Sequence, residues 1–138
     1  MKKILQVQSL KKYFPIYGGL LSRKIGQVKA VDDVTFDIKE GEILGLVGES
    51  GCGKTTVGRM TLRLLEPTSG KIFFEETNLL SLKGKELATI RPKIQIIFQD
   101  PYSSLNPRFT VERVIGEALS VHGLAQGNEL REKIETLM

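Results

Sequence analysis

A single cysteine, Cys52, excludes an intrachain disulfide and any metal centre built from several thiolates, and a chain with so little sulfur chemistry suits a reducing compartment. No apolar run approaches the ~20 residues that a helix needs to cross a bilayer. Lys2 and Lys3 stand at the amino terminus with no apolar stretch behind them, so this end does not read as a secretory leader. The formal net charge is +4, yet the basic residues are scattered in pairs such as Lys11-Lys12 and Arg23-Lys24. No cluster of about 5 to 8 basic residues marks a nucleic-acid face, and no nucleic-acid partner is expected. The one histidine, His122, falls on the apolar stripe of a predicted helix and reads as packing rather than catalysis. No internal repeat or low-complexity segment is present. What remains is a 138-residue chain that reads as soluble, globular and cytoplasmic.

The chain does hold Gly48-Glu49-Ser50-Gly51-Cys52-Gly53-Lys54-Thr55, a match to the phosphate-binding pattern G-x-x-x-x-G-K-[ST]. Glycines let the backbone curl so that several N–H groups point at phosphate oxygens, and a helix begins where its unpaired N–H groups face the anion. Lys54 reaches the β- and γ-phosphates, and Thr55 offers a hydroxyl to Mg²⁺. Cys52 sits inside the loop, where its backbone N–H matters and its thiol is not a nucleophile. The flanks agree with the motif. Ile43-Leu44-Gly45-Leu46-Val47 suits a strand buried on both faces of a parallel sheet, and Val57, Met60, Thr61, Leu64 and Leu65 recur at helical spacing.

Residues 4–10 and 33–38 alternate apolar with polar and predict half-buried antiparallel strands. Pro15 to Lys29, with Gly18-Gly19 and Gly26, reads as a long loop between them. Lys71-Ile72-Phe73-Phe74 is a further strand, residues 84–90 a short helix halted before Pro92, and Ile94-Gln95-Ile96-Ile97-Phe98 a second buried strand ending at Gln99. Asp100 to Pro107 reads as an exposed loop. Thr110 caps a helix whose stripe is Val111, Val114, Ile115, Ala118 and Leu119. Leu130, Ile134, Leu137 and Met138 carry a last helical stripe with no stop signal, so the chain reads as cut off.

The phosphate loop alone fits kinases, GTPases, helicases and transporter ATPases. Ile94-Gln95-Ile96-Ile97-Phe98-Gln99-Asp100-Pro101 followed by Tyr102-Ser103-Ser104-Leu105-Asn106-Pro107 resembles the glutamine loop of ATP-binding-cassette (ABC) proteins, and the Ser-Leu-Asn-Pro extension is similar to the dipeptide and oligopeptide importer branch. Gly48 to Thr56 and Ala30-Val31-Asp32-Asp33-Val34 match that branch as well. The resemblance implies an α/β fold: a three-layer P-loop NTPase core with an antiparallel β flank over about residues 1–108, and the start of a helical subdomain over about 109–138. It places only the amino-terminal half of one ATP-binding domain here. The family's Leu-Ser-Gly-Gly-Gln signature, its catalytic carboxylate and its switch histidine have no counterpart, so no catalytic residue is assigned. Pro92 departs from the family, where a basic residue is usual.

The same resemblance implies binding of ATP and Mg²⁺ by Gly48, Glu49, Ser50, Gly51, Cys52, Gly53, Lys54, Thr55 and Thr56, with Thr55 and Gln99 toward the metal. Phe14 resembles the aromatic that stacks on adenine, and Tyr13 is its rival. The implied partners are a second ATP-binding subunit, in a homo- or heterodimer, and membrane-spanning permease subunits that dock near Gln99 to Arg108. Through the permease the protein would sit on the inner face of the cell membrane and couple ATP hydrolysis to import of a peptide-like solute. Two other readings stay open: a nucleotide-binding fragment without ATPase activity, and a non-transport cassette ATPase acting on DNA or ribosomes.

Overall fold

Two long antiparallel strands, β1 (Lys3–Gly18) and β2 (Arg23–Lys39), organise the first part of the computed structural model, which describes residues 1–19, 22–100 and 104–138. The alternation at 4–10 and 33–38 sets their register, with Leu5 opposite Ile38 and Val7 opposite Phe36. β3 (Ser69–Phe74) pairs with the other edge of β1, and the short β4 (Thr77–Asn78) pairs with β3. The sheet order is β2-β1-β3-β4, antiparallel throughout. Helix α1 (Lys54–Thr61) packs on β2. Val7, Leu10 and Ile72 from the sheet, Val57 and Met60 from α1, and Leu79 beyond β4 are buried together in this unit, Met1–Lys83. Each such side chain contributes about 1.5–3 kcal/mol by leaving water.

The structure corrects several expectations. Pro15 to Lys29 is not a long loop: among the described residues β1 runs on through Pro15, which lies opposite Gln27, to Gly18 opposite Arg23. β3 accompanies β1 only as far as Lys11. Beyond it β1 has a neighbour on one edge, and a proline is tolerated where the missing N–H can face the open side. Ile43–Val47 and Ile94–Phe98 form no ladder. Ile43, Val47 and Ile97 are 96%, 92% and 90% exposed. A strand exists only with a hydrogen-bonded neighbour, and no described strand pairs with either segment. Helix α1 ends at Thr61 and does not reach Leu64 and Leu65 of the expected stripe, because Arg63 turns to φ +50° while its N–H and that of Leu64 bond back to Met60 and Arg59. Leu64 is consequently half exposed.

The second unit, Gly84–Met138, holds α2 (Gly84–Ile90), a 3-10 turn at Arg91–Lys93 that contains Pro92, α3 (Val111–Val121) and α4 (Gly127–Leu137). The Thr110 hydroxyl accepts the Arg113 N–H at 3.3 Å, the expected cap. Helices α3 and α4 meet where Gly116 is buried beside Ile134: a Cβ at Gly116 would stand 3.1 Å from Ile134 Cδ1. The expected stripe is only partly covered, since Val111 and Ala118 are exposed. His122 is not a packing residue; it is the exposed carboxy-terminal cap of α3. Pro101, Tyr102 and Ser103 of the glutamine-loop reading lie outside the described residues, as do Leu20 and Leu21.

Candidate nucleotide site

The loop from Gly48 to Gly53 passes from the unpaired Ile43–Val47 segment directly into α1. The Cys52 N–H bonds the Glu49 carbonyl at 3.3 Å, and the Val57 N–H bonds the Gly53 carbonyl at 2.9 Å, closing the first turn of the helix. Two positions require glycine for different reasons. Gly51 has φ +82° with open space around it, whereas Gly53 has φ +99° and a Cβ there would overlap the Ala30 carbonyl oxygen. The loop is thereby pressed against the backbone of β2, and Val57 and Met60 hold α1 from the other end.

No acidic residue stands in the first turn of α1. Its N–H groups and the Lys54 ammonium make an electropositive end that suits a polyanion. Lys54 Nζ donates to the Gly48 carbonyl at 2.7 Å and the Glu49 carbonyl at 2.6 Å, and lies 3.6 Å from Cys52 Sγ. The ammonium thus spans the mouth of its own loop, and a phosphate oxygen would compete with these two carbonyls for it. Gly48 to Cys52 and Thr55 are exposed, while Gly53, Lys54 and Thr56 are half-buried. A glycine cradle that a side chain would fill, a cation over it and a hydroxyl one residue on fit a Mg²⁺-nucleoside triphosphate.

Along the same unit, the β1–β2 register steps by one residue between Lys12, opposite Val31, and Tyr13, opposite Lys29. Ala30 is the extra residue of a β-bulge. Residues opposite one another share a face, so the step places Lys12, Val31, Phe14 and Val28 on one face, and Tyr13 and Lys29 on the other. Val31 is the side chain beside Gly53. Phe14 therefore shares a face with the residue that meets the phosphate loop, and its ring is 40% exposed, with Lys12 Nζ 5.0 Å from the centroid. Tyr13 is engaged elsewhere. Its hydroxyl donates to the Asp32 carboxylate, Lys29 Nζ approaches that carboxylate at 3.2 Å, and the same ammonium lies 5.4 Å from the Tyr13 ring centroid. The Tyr13 hydrogen bond, and then Lys29, hold the Asp32 carboxyl below its usual range, and the Asp32 bond raises both Tyr13 and Lys29.

Sequence reasoning missed Asp32, Lys29 and Ala30. Their signal was the break in alternation at Ala30-Val31. Gln99 belongs to the other unit, exposed at a bend after Phe98. That unit also carries a cavity of about 350 Å³ lined by Leu105, Asn106, Phe109, Val114 and Val121 among others. Among the described residues, no helix is long and apolar enough to cross a membrane.

Residues 31–138 match the family profile described as ABC transporter. The oligopeptide transport ATP-binding protein AppF of Bacillus subtilis is 48% identical over 136 residues, which are 98% of this chain and 41% of that protein. The glutathione import ATP-binding protein GsiA of Pectobacterium atrosepticum is 49% identical over 135 residues, 98% of this chain and 22% of that one. Among solved structures, a dimeric ATP-binding cassette in a post-hydrolysis state with ADP and Pi superimposes with a TM-score of 0.73 at 25% identity, over 96% of this chain and 54% of that chain. The chain spans about two fifths or less of the length of these two curated relatives.

Proposed function

The chain belongs to the ABC transporter family, and on that premise we propose that it is the nucleotide-binding part of an ATP-driven importer of peptide-like solutes. The observation that carries this reading is the phosphate loop. Gly53 is pressed on Ala30, α1 presents its amino-terminal end, and Lys54 is poised over the carbonyls of Gly48 and Glu49. Gly48 to Thr56 would cradle the phosphates of ATP, and Phe14 would stack on the base. The exposed Thr55 hydroxyl would hold Mg²⁺. Mg²⁺, when bound, neutralises charge on the β- and γ-oxygens during phosphoryl transfer to water.

A second ATP-binding subunit and a permease complete this reading, and place the protein on the inner face of the membrane. The dimeric arrangement of a solved relative and the import functions in the names of the curated relatives support it. The cavity beside Leu105, Phe109 and Val121 offers the permease an apolar hold next to the Gln99–Arg108 segment. Calorimetry tests the core of the proposal. A charge-assisted bond is worth about 1.5–3 kcal/mol, so Lys54→Ala should bind ATP roughly tenfold or more weakly. Equal affinities would remove the phosphate-loop reading.

A further inference from the structure

The first acidic residue of the chain is Asp32, although basic residues recur from Lys2 onward and the chain as a whole is only +4. Positive charge is therefore concentrated on β1 and the first half of β2, and the ladder brings the separate pairs of the sequence onto one ribbon. We propose that the outer part of this ribbon is a docking surface for an anionic lipid headgroup layer, held by Arg23 and Lys24 together with Ile16, Tyr17 and Ile25. The inference takes its membrane from the placement proposed above and uses no residue of the nucleotide site.

Strand pairing sorts the side chains. Ile16 lies opposite Gly26, Tyr17 opposite Lys24 and Gly18 opposite Arg23, which leaves Ile25 as the extra residue of a bulge. Ile25 turns to the face of Ile16, since a Cβ at Gly18, two residues on from Ile16, would stand 2.6 Å from Ile25 Cδ1. One face carries Ile16, Ile25 and Arg23, and the reverse face Tyr17 and Lys24. Ile16, Tyr17 and Ile25 are 43%, 62% and 69% exposed, with Arg23 and Lys24 exposed beside them. Lys24 Nζ donates to the Gln27 side-chain oxygen at 3.4 Å, a neutral partner that leaves its charge uncompensated. Basic residues alone would serve as guards that keep open strand edges from pairing. Guards do not require isoleucines in water, whereas apolar side chains set among cations suit the boundary between headgroups and acyl chains. A second copy of the ribbon is a poor occupant: it brings like charges together, with no carboxylate from Tyr13 to Val31 to pair them. A nucleic acid offers phosphates but no apolar layer for Ile16 and Ile25. The inner face of a membrane supplies both, and its negative surface potential attracts each nearby Lys or Arg. Phe14 lies further in, so lipid and nucleotide base do not share a side chain.

Flotation of the 138-residue chain on a density gradient tests the proposal, using vesicles of phosphatidylcholine alone and of phosphatidylcholine mixed with phosphatidylglycerol. Aggregated protein stays at the bottom, so only lipid binding is read. The chain should float with the anionic vesicles and not with the neutral ones, and about 1 M salt should abolish flotation by cutting the screening length to about 3 Å. Arg23→Ala with Lys24→Ala should weaken binding to the anionic vesicles roughly 30-fold. Ile16→Ser with Ile25→Ser should weaken it severalfold. All four side chains are exposed, so both variants should fold and keep the parent affinity for ATP in calorimetry. Equal flotation with the two kinds of vesicle, or undiminished binding in either double variant, would overturn docking by this ribbon. Binding to an RNA or DNA duplex that is lost with Arg23 and Lys24, in the absence of flotation, would overturn it in favour of a nucleic acid. A chain that binds ATP through Lys54 and fails to float refutes the lipid surface alone, and one that floats without binding ATP refutes the nucleotide reading alone.

Discussion

Gly53 and Gly51 lie two residues apart in the same loop and carry similar positive φ angles, +99° and +82°, but only Gly53 touches another segment. This pair separates backbone strain from packing. An L-residue in the left-handed region costs roughly 1–2 kcal/mol, and Gly51→Ala, with nothing near its Cβ, should incur that alone. Gly53→Ala adds an overlap with the Ala30 carbonyl oxygen. That neighbour is backbone, in a bulge flanked by the paired residues Lys29 and Val31, and cannot rotate aside. Val57 and Met60 pin α1 from behind, so the loop must lift or the bulge must give. Overpacking of this kind costs typically ~1–3 kcal/mol beyond the strain. For a domain of about 60–100 residues each kcal/mol shifts Tm by roughly 4–8 °C. Gly53→Ala should therefore melt at least about 4 °C below Gly51→Ala in a circular-dichroism melt, without any nucleotide present. Equal melting temperatures would refute the claim that contact with Ala30 makes position 53 a glycine.

Asp32 provides a pH test: because its carboxyl is held below the usual range, its bonds stabilise the fold above the ordinary aspartate value of ~3.9 and are lost as pH falls through the lower, folded value. Carbon-detected NMR should find Asp32 titrating below the ordinary aspartate value, and an ordinary titration would contradict the Tyr13–Asp32–Lys29 geometry. The exposed Ile43 and Ile97 present apolar, unpaired backbone segments that favour self-association. Ile43→Lys with Ile97→Lys should lower the weight-average mass in sedimentation, and no change would show that these segments are not the contact. The 138-residue chain alone should release phosphate at background, since the segment that feeds the phosphate loop is not held in a sheet. Lys54-dependent turnover would refute that expectation.

How much was legible in the sequence follows from the range of the forces involved. The phosphate loop could be read because its chemistry is local. Glycines at fixed spacing, a lysine and a hydroxyl are needed within eight consecutive positions, and the flanking helix announces itself by period. The cap at Thr110 is local in the same way. β1 and β2 were visible at 4–10 and 33–38, where one face is buried and alternation is enforced, and invisible from Pro15 to Lys29, where a two-stranded ribbon exposes Ile16, Ile25 and Val28 and the pattern carries no information about burial. β4 was missed because the turn before it is Glu75-Glu76, both at positive φ, in place of the Asn or Gly that such a turn usually shows.

The buried-strand reading of Ile43–Val47 and Ile94–Phe98 depends on a different kind of information. Composition can say that a segment is apolar enough to be covered on both faces, but a ladder requires a partner at the right distance, and pairing is not a property of the segment itself. The same distinction explains Phe14 and Tyr13. Their identities are local, and both suit a base platform. The face each one presents is decided by the pairing of Lys12 with Val31, which puts Phe14, two residues on, on the face of Val31 and Tyr13 on the other. That pairing joins residues far apart in the chain, so the sequence left two candidates where the hairpin geometry puts only Phe14 on the face of Val31.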